Sequence, residues 1–175
     1  MGNAGKVLAI IGAVIGILSV VLAFAMPALF SWYHIDLSGA GYSGGLYVTA
    51  FGGIMEEGIL SSPTDEIITL VLIGGILVLA GAALCIVSAL TELKPLGLIG
   101  GILMILGPLF LIFDLMGQMS EFAEFMDSLA TAYDSNVFFG SFSPYPGISF
   151  NWGIWIGFFL AIGGGVVGLI GGATV

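Results

Sequence analysis

At 175 residues, with 59% apolar and 7% charged side chains, the chain has no room for a water-soluble domain beside its apolar runs. Its net charge of −9 and its only basic residues, Lys6 and Lys94, exclude nucleic acid as a partner. They also exclude docking on anionic lipid through a basic patch, and the single cysteine, Cys85, excludes an internal disulfide.

Four long apolar runs set the organisation: residues 7–30, 67–90, 95–115 and 151–172, with no charge before Asp114 near the end of the third. Each holds about 20 residues or more, enough at 1.5 Å per residue to cross a bilayer core of roughly 30 Å. Lipid cannot hydrogen-bond a bare backbone, so the runs are expected to be helices. The fold class is therefore an all-α membrane protein, a four-transmembrane-helix bundle. Residues 1–175 form a single four-span domain, with a small extracellular β/α cap made by the loops 31–66 and 116–150.

The first run follows Lys6 and ends near Ala23-Phe24-Ala25, which imitates a signal peptide with its cleavage site. It is longer than a usual signal core, and a retained span is expected. Gly12 and Gly16 lie four residues apart on it. Small residues at that spacing make a flat stripe along which two backbones approach closely.

The first loop opens with Ser31-Trp32-Tyr33-His34, aromatics suited to the bilayer interface. A glycine-rich stretch, Gly39, Gly41, Gly44 and Gly45, predicts turns before a strand over residues 46–51. His34 with Asp36 could supply two metal ligands and Glu56 or Glu57 more, but nothing in the sequence fixes their geometry and an interfacial histidine is expected; Glu56-Glu57 and Asp65-Glu66 lack the pattern of a calcium loop. No cofactor is expected.

The second run contains Cys85 as a small buried apolar residue. The short link 91–94 carries Lys94 on the same side as Lys6, so the positive-inside rule places both termini in the cytoplasm and both long loops outside, in a plasma membrane. Gly97 and Gly101 continue the small-residue spacing on the third run. Asp114 is expected at the outer interface as a solvated helix end.

In the second loop Phe122, Phe125, Met126 and Leu129 follow a helical period, with Glu121, Glu124 and Asp127 largely opposite. This predicts that the third span continues outward as an amphipathic helix. Residues 137–139 and 148–150 flank Ser143-Pro144-Tyr145-Pro146-Gly147 and read as two short strands around a turn. The fourth run carries Gly164, Gly168 and Gly172, a stripe for packing inside the bundle or for contact between protomers, and Phe158 is expected to face lipid. The exposed edge of the 46–51 strand and the apolar face of the loop helix each need cover, so the two loops are expected to fold together.

An offset of 88 superposes Lys6 on Lys94, Leu8 on Leu96, Ile11 on Ile99, Gly12 on Gly100 and Ile17 on Ile105, matches open both to an ancestral duplication and to chance in so restricted an alphabet. A duplication at that offset would be a parallel repeat of two hairpins.

Trp32 followed by Gly45-Leu46-Tyr47, in the first loop of a four-span chain with inner termini, resembles the claudin and peripheral-myelin-protein superfamily. Trp32 matches that family's first-loop tryptophan, and Gly45-Leu46-Tyr47 its Gly-Leu-Trp with Tyr for Trp. The family's two disulfide-bonded loop cysteines have no counterpart here. The resemblance implies an external sheet, built around Trp32, Gly45, Leu46 and Tyr47, that serves lateral or cell–cell contacts.

No mid-membrane ionisable residue marks a proton path, and no phosphate loop, nucleophile elbow, zinc helix or dinucleotide motif is present. A non-enzymatic structural or adaptor tetraspan is expected, assembling through its glycine-rich helices and acidic cap. Its partners are then the lipid bilayer and other copies or other membrane proteins. Two alternatives stand beside it: an accessory subunit of a larger respiratory or transport complex, and a small cation channel with an acidic mouth.

Overall fold

The computed structural model describes residues 3–62 and 67–175. Four helices are long and apolar enough to cross a membrane: α1 (Ala4–Ala25), α3 (Thr69–Thr91), α4 (Lys94–Gly117) and α6 (Ile156–Thr174). Between them lie a short α2 (Pro27–Phe30), the strands β1 (Tyr33–Gly39), β2 (Tyr42–Val48) and β3 (Ile54–Gly58), then α5 (Glu121–Ala132), β4 (Phe139–Tyr145) and β5 (Ile148–Ile154).

The span boundaries differ from those read off hydropathy. The first span stops at Ala25 because Met26 leaves the helical region and Pro27 has no N–H with which to continue the ladder; 27–30 become the separate α2. Residues 151–154 belong to β5 and not to the last span. An apolar run reads alike as helix or strand, and here β1 supplies a ladder that captures it.

The helix backbones meet at glycines. A Cβ built on Gly12 would lie 2.6 Å from the Gly164 carbonyl oxygen and from the Gly168 Cα, so α1 and α6 touch main chain to main chain. Gly164 meets the Gly12 oxygen in return at 2.8 Å. Gly97 faces the Gly172 Cα and Gly101 faces Leu169, joining α4 to α6, while Gly100 and Gly107 on α4 face the carbonyls of Gly81 and Gly74 on α3. Gly16 packs on Met104 and Val78, and Gly168 on the Cys85 sulfur. These approaches all lie within one chain. Phe158, expected at the lipid face, is 3% exposed. At the end of the bundle opposite the cap, Lys6 pairs with Glu92 at 2.6 Å.

The loops form one antiparallel sheet in the order β3-β2-β1-β5-β4. β1 from the first loop pairs with β5 from the second along its whole length, Tyr33 opposite Ile154 and Gly39 opposite Ile148. The strand expected over 46–51 instead covers Tyr42–Val48, because the chain turns at Thr49–Gly52, where the Gly52 amide bonds the Thr49 carbonyl.

Helix α5 is a new helix and not an extension of α4. Gln118 adopts a left-handed conformation that ends α4, and Ser120 caps α5 by accepting the Ala123 amide at 3.1 Å. Asp114 is 1% exposed, so it is a buried group and not a solvated helix end; its Oδ2 accepts the Ser120 hydroxyl at 2.6 Å. One serine thus ties the end of α4 to the start of α5.

Candidate functional site in the cap

Period-two alternation along β1 makes the sheet two-faced. Tyr33, Ile35 and Leu37 point one way; His34, Asp36 and Ser38 point the other. Register carries each set across the sheet. Leu46, Val48, Phe150, Trp152 and Ile154 join the apolar face, whereas Tyr47, Ser43, Glu57, Asn151 and Ser149 join the polar one.

The apolar face is covered by α5 and the segment after it. Phe122 meets the Tyr33 ring edge-on at 5.8 Å, Phe122 and Met126 are buried, and Leu129 is packed on the same core. Phe125, placed on the same stripe by periodicity, is partly exposed at the rim. The Tyr33 hydroxyl donates to the Val137 carbonyl and the Trp152 indole to that of Asn136. Trp32 is wholly buried between the sheet and the spans, not spread along an interface; its carbonyl accepts the Trp155 amide and its amide donates to Val48.

Among the described residues this cover stops short of the hairpin ends. There Leu37, Tyr42, Ile59, Tyr145, Ile148 and Phe150, with Pro144, line an apolar groove of about 240 Å³. Tyr145 is 69% exposed. A run of stacked rings leads into the groove: Tyr133 on Phe142 at 3.7 Å, and Phe142 on Phe150 at 4.8 Å.

On the polar face Asp36 of β1 and Glu57 of β3 both stand opposite Gly45 of β2. Gly45 has no side chain, and the Tyr47 ring folds into the space a Cβ there would fill. The Tyr47 hydroxyl therefore stands between the two carboxylates, with one proton to donate to either; burial, reinforced by the two negative charges and that hydrogen bonding, pushes its pKa well above the ordinary tyrosine value. The phenol acts as a donor at neutral pH. A pocket of about 520 Å³ opens over this row, lined by Ala28 of α2, Asp36, Ser38, Ser43, Tyr47 and Glu57 among others.

His34, expected at the bilayer interface, is buried on β1 behind the row. Its Nε2 lies 3.2 Å from the Asp36 Oδ2, and its ring stacks at a tilt on Trp155 at 4.1 Å. Burial lowers the His34 pKa, with the Asp36 charge pulling the other way. Among the described residues no three His, Cys, Asp or Glu side chains gather as a metal site would require. Asp65 and Glu66 lie outside the described residues.

The sequence motif Gly45-Leu46-Tyr47 is thus one unit: a gap, an inward anchor and a phenol that fills the gap. The groove and the acidic pocket were not readable beforehand, since each joins residues distant in the chain. The alternation of residues 33–38 was the signal that would have placed β1. The chain matches no family model and no curated protein.

Proposed function

We propose that the protein is a non-enzymatic adaptor tetraspan that assembles with other membrane proteins, or with further copies, through its cap. The observation carrying this reading is the β1–β5 ladder, which joins both loops into one body. That body presents an apolar groove and an acidic pocket on opposite faces of one sheet. Flexible loops would lose ordering entropy on every contact; a prefolded sheet does not.

Two features redirect the expectation of assembly through glycine stripes. The glycines are engaged by neighbouring helices of the same chain, and the bundle centre is filled by Val78, Cys85, Met104 and Leu111. The first favours the cap over the glycine stripes as the contact surface; the second gives a cation channel no support. Lys6 and Lys94 at the opposite end favour an extracellular cap at the plasma membrane. The resemblance to claudin-type tetraspans supports the same role at the level of topology.

Gentle detergent extraction from native membrane followed by native mass spectrometry tests the reading. Homomers or complexes with other membrane proteins are expected. A fixed foreign stoichiometry that survives loss of the cap contacts would favour the accessory-subunit alternative, and monomers alone would remove the adaptor role.

A further inference from the structure

We infer that the apolar groove at the hairpin ends is a docking site for a cationic segment of another protein, one that presents an aromatic or aliphatic side chain between lysine or arginine residues. The inference rests on the adaptor reading and narrows it to a partner chemistry.

The groove supplies the apolar half. Its lining by Leu37, Tyr42, Ile59, Tyr145, Ile148 and Phe150 has no covering element among the described residues, where Tyr42, Ile59 and Tyr145 are exposed. Aromatic side chains around a concave apolar surface are what anchor residues of a partner fill.

Charge selects the occupant. Glu57, near the end of β3, lies two residues before the groove-lining Ile59 on the opposite face of the sheet; Asp36 precedes Leu37 in the middle of β1; and Glu56, exposed on β3, stands opposite Leu46 on the groove's own face. The cap has no lysine or arginine at all, since Lys6 and Lys94 stand at the far end of the bundle. A second copy of the cap would bring acids against acids. β4 and β5 carry no charged side chain, so the acids nearest the β2–β3 end of the groove are Glu56 and Glu57 of β3. A lysine or arginine arm is long enough to reach around the β3 edge to Glu57 while a neighbouring side chain enters the groove.

The test uses the full chain in nanodiscs of neutral phosphatidylcholine and a dye-labelled peptide alternating lysine with leucine and tryptophan, followed by fluorescence anisotropy against empty discs. Binding is expected, weakening as salt is raised. Tyr145→Ser should weaken it by about tenfold, the share of one anchor side chain. Glu57→Gln should weaken it more than Glu124→Gln, which removes the same charge from α5. The proposal is overturned if a glutamate-for-lysine peptide binds equally, if a serine-for-apolar peptide binds equally, or if neither Tyr145→Ser nor Glu57→Gln has an effect. Self-association in peptide-free discs that Tyr145→Ser abolishes would assign the groove to a second copy; it overturns the cationic partner and leaves the adaptor role standing.

Discussion

Gly12 of α1 and Gly168 of α6 meet so closely that no side chain fits between them: a Cβ on Gly12 would lie 2.6 Å from the Gly168 Cα. Lipid tails are as apolar as leucine, so close backbone packing of this kind is what holds the helices together. Gly12→Ala should therefore destabilise the bundle by about 1–3 kcal/mol, the scale of an overpacked core. Gly163, one residue before Gly164, has nothing within 4 Å of its Cβ position. Gly163→Ala should leave stability unchanged or raise it slightly. Apparent Tm values in one detergent compare the two, and equal losses would contradict the glycine map.

The four spans were legible because hydropathy needs no partner to be read. The inner link was legible too: Lys94 and Pro95 open α4 where the chain reverses. Helix α5 could be read from the stripe of Phe122, Met126 and Leu129. What was lost lies where a distant partner decides the outcome. Residues 151–154 are as apolar as the span that follows, and only the β1 ladder makes them a strand. Asp114 looked solvated because its partner, Ser120, sits beyond a helix break that Gln118 creates. The acidic pocket needs the register that sets Asp36 and Glu57 on either side of Gly45, which no local pattern contains.

The offset of 88 survives in the spans alone. It carries α1 onto α4 and α3 onto α6, and this exchange maps the glycine contact between α1 and α6 onto that between α4 and α3. In the cap it fails, since residues 33–39 form a strand while residues 121–127 begin α5.

Ser120 holds the join between α4 and α5 through two bonds, to the Ala123 amide and to the buried Asp114 carboxylate. Ser120→Ala removes both and should cost about 1–2 kcal/mol, the upper part of the range for losing an N-cap. Ser120→Thr keeps a hydroxyl and should recover most of the loss. Thermal unfolding monitored by circular dichroism reads both variants, and a neutral Ser120→Ala would contradict the tie.

His34 gives the cap a pH dependence whose sign follows from burial. The folded pKa lies below the ordinary value, so the unfolded chain binds the proton more readily. Its contribution to stability is complete above about pH 6.5 and is lost as pH falls from there toward the lowered folded value. Among the described residues, Asp36, Tyr47 and Glu57 are the other ionisable groups on that face. Tm should drop between about pH 7 and pH 5.5, the range in which histidine titrates, and His34→Gln should shrink the drop. An identical drop in the variant would contradict the assignment.

Ser38 and Ser149 stand opposite each other on β1 and β5, with hydroxyl oxygens 3.1 Å apart. Cysteines at both positions, in a Cys85→Ala background, should form a disulfide within one chain on mild oxidation, because cross-strand neighbours lie within its reach. Mass spectrometry of the digested protein would find the linked loops. Cross-links only between chains, or none, would contradict a cap made from both loops.

The cap as the surface of assembly is most directly tested by native mass spectrometry of complexes extracted from membrane, comparing wild type with Tyr145→Ser and Gly163→Ala. Tyr145 is exposed at the groove, so its loss should leave the folded monomer intact and deplete the complex, whereas Gly163→Ala should leave the complex at wild-type level. Depletion with Gly163→Ala and full assembly with Tyr145→Ser would place the partner on the membrane face of the bundle and contradict the account.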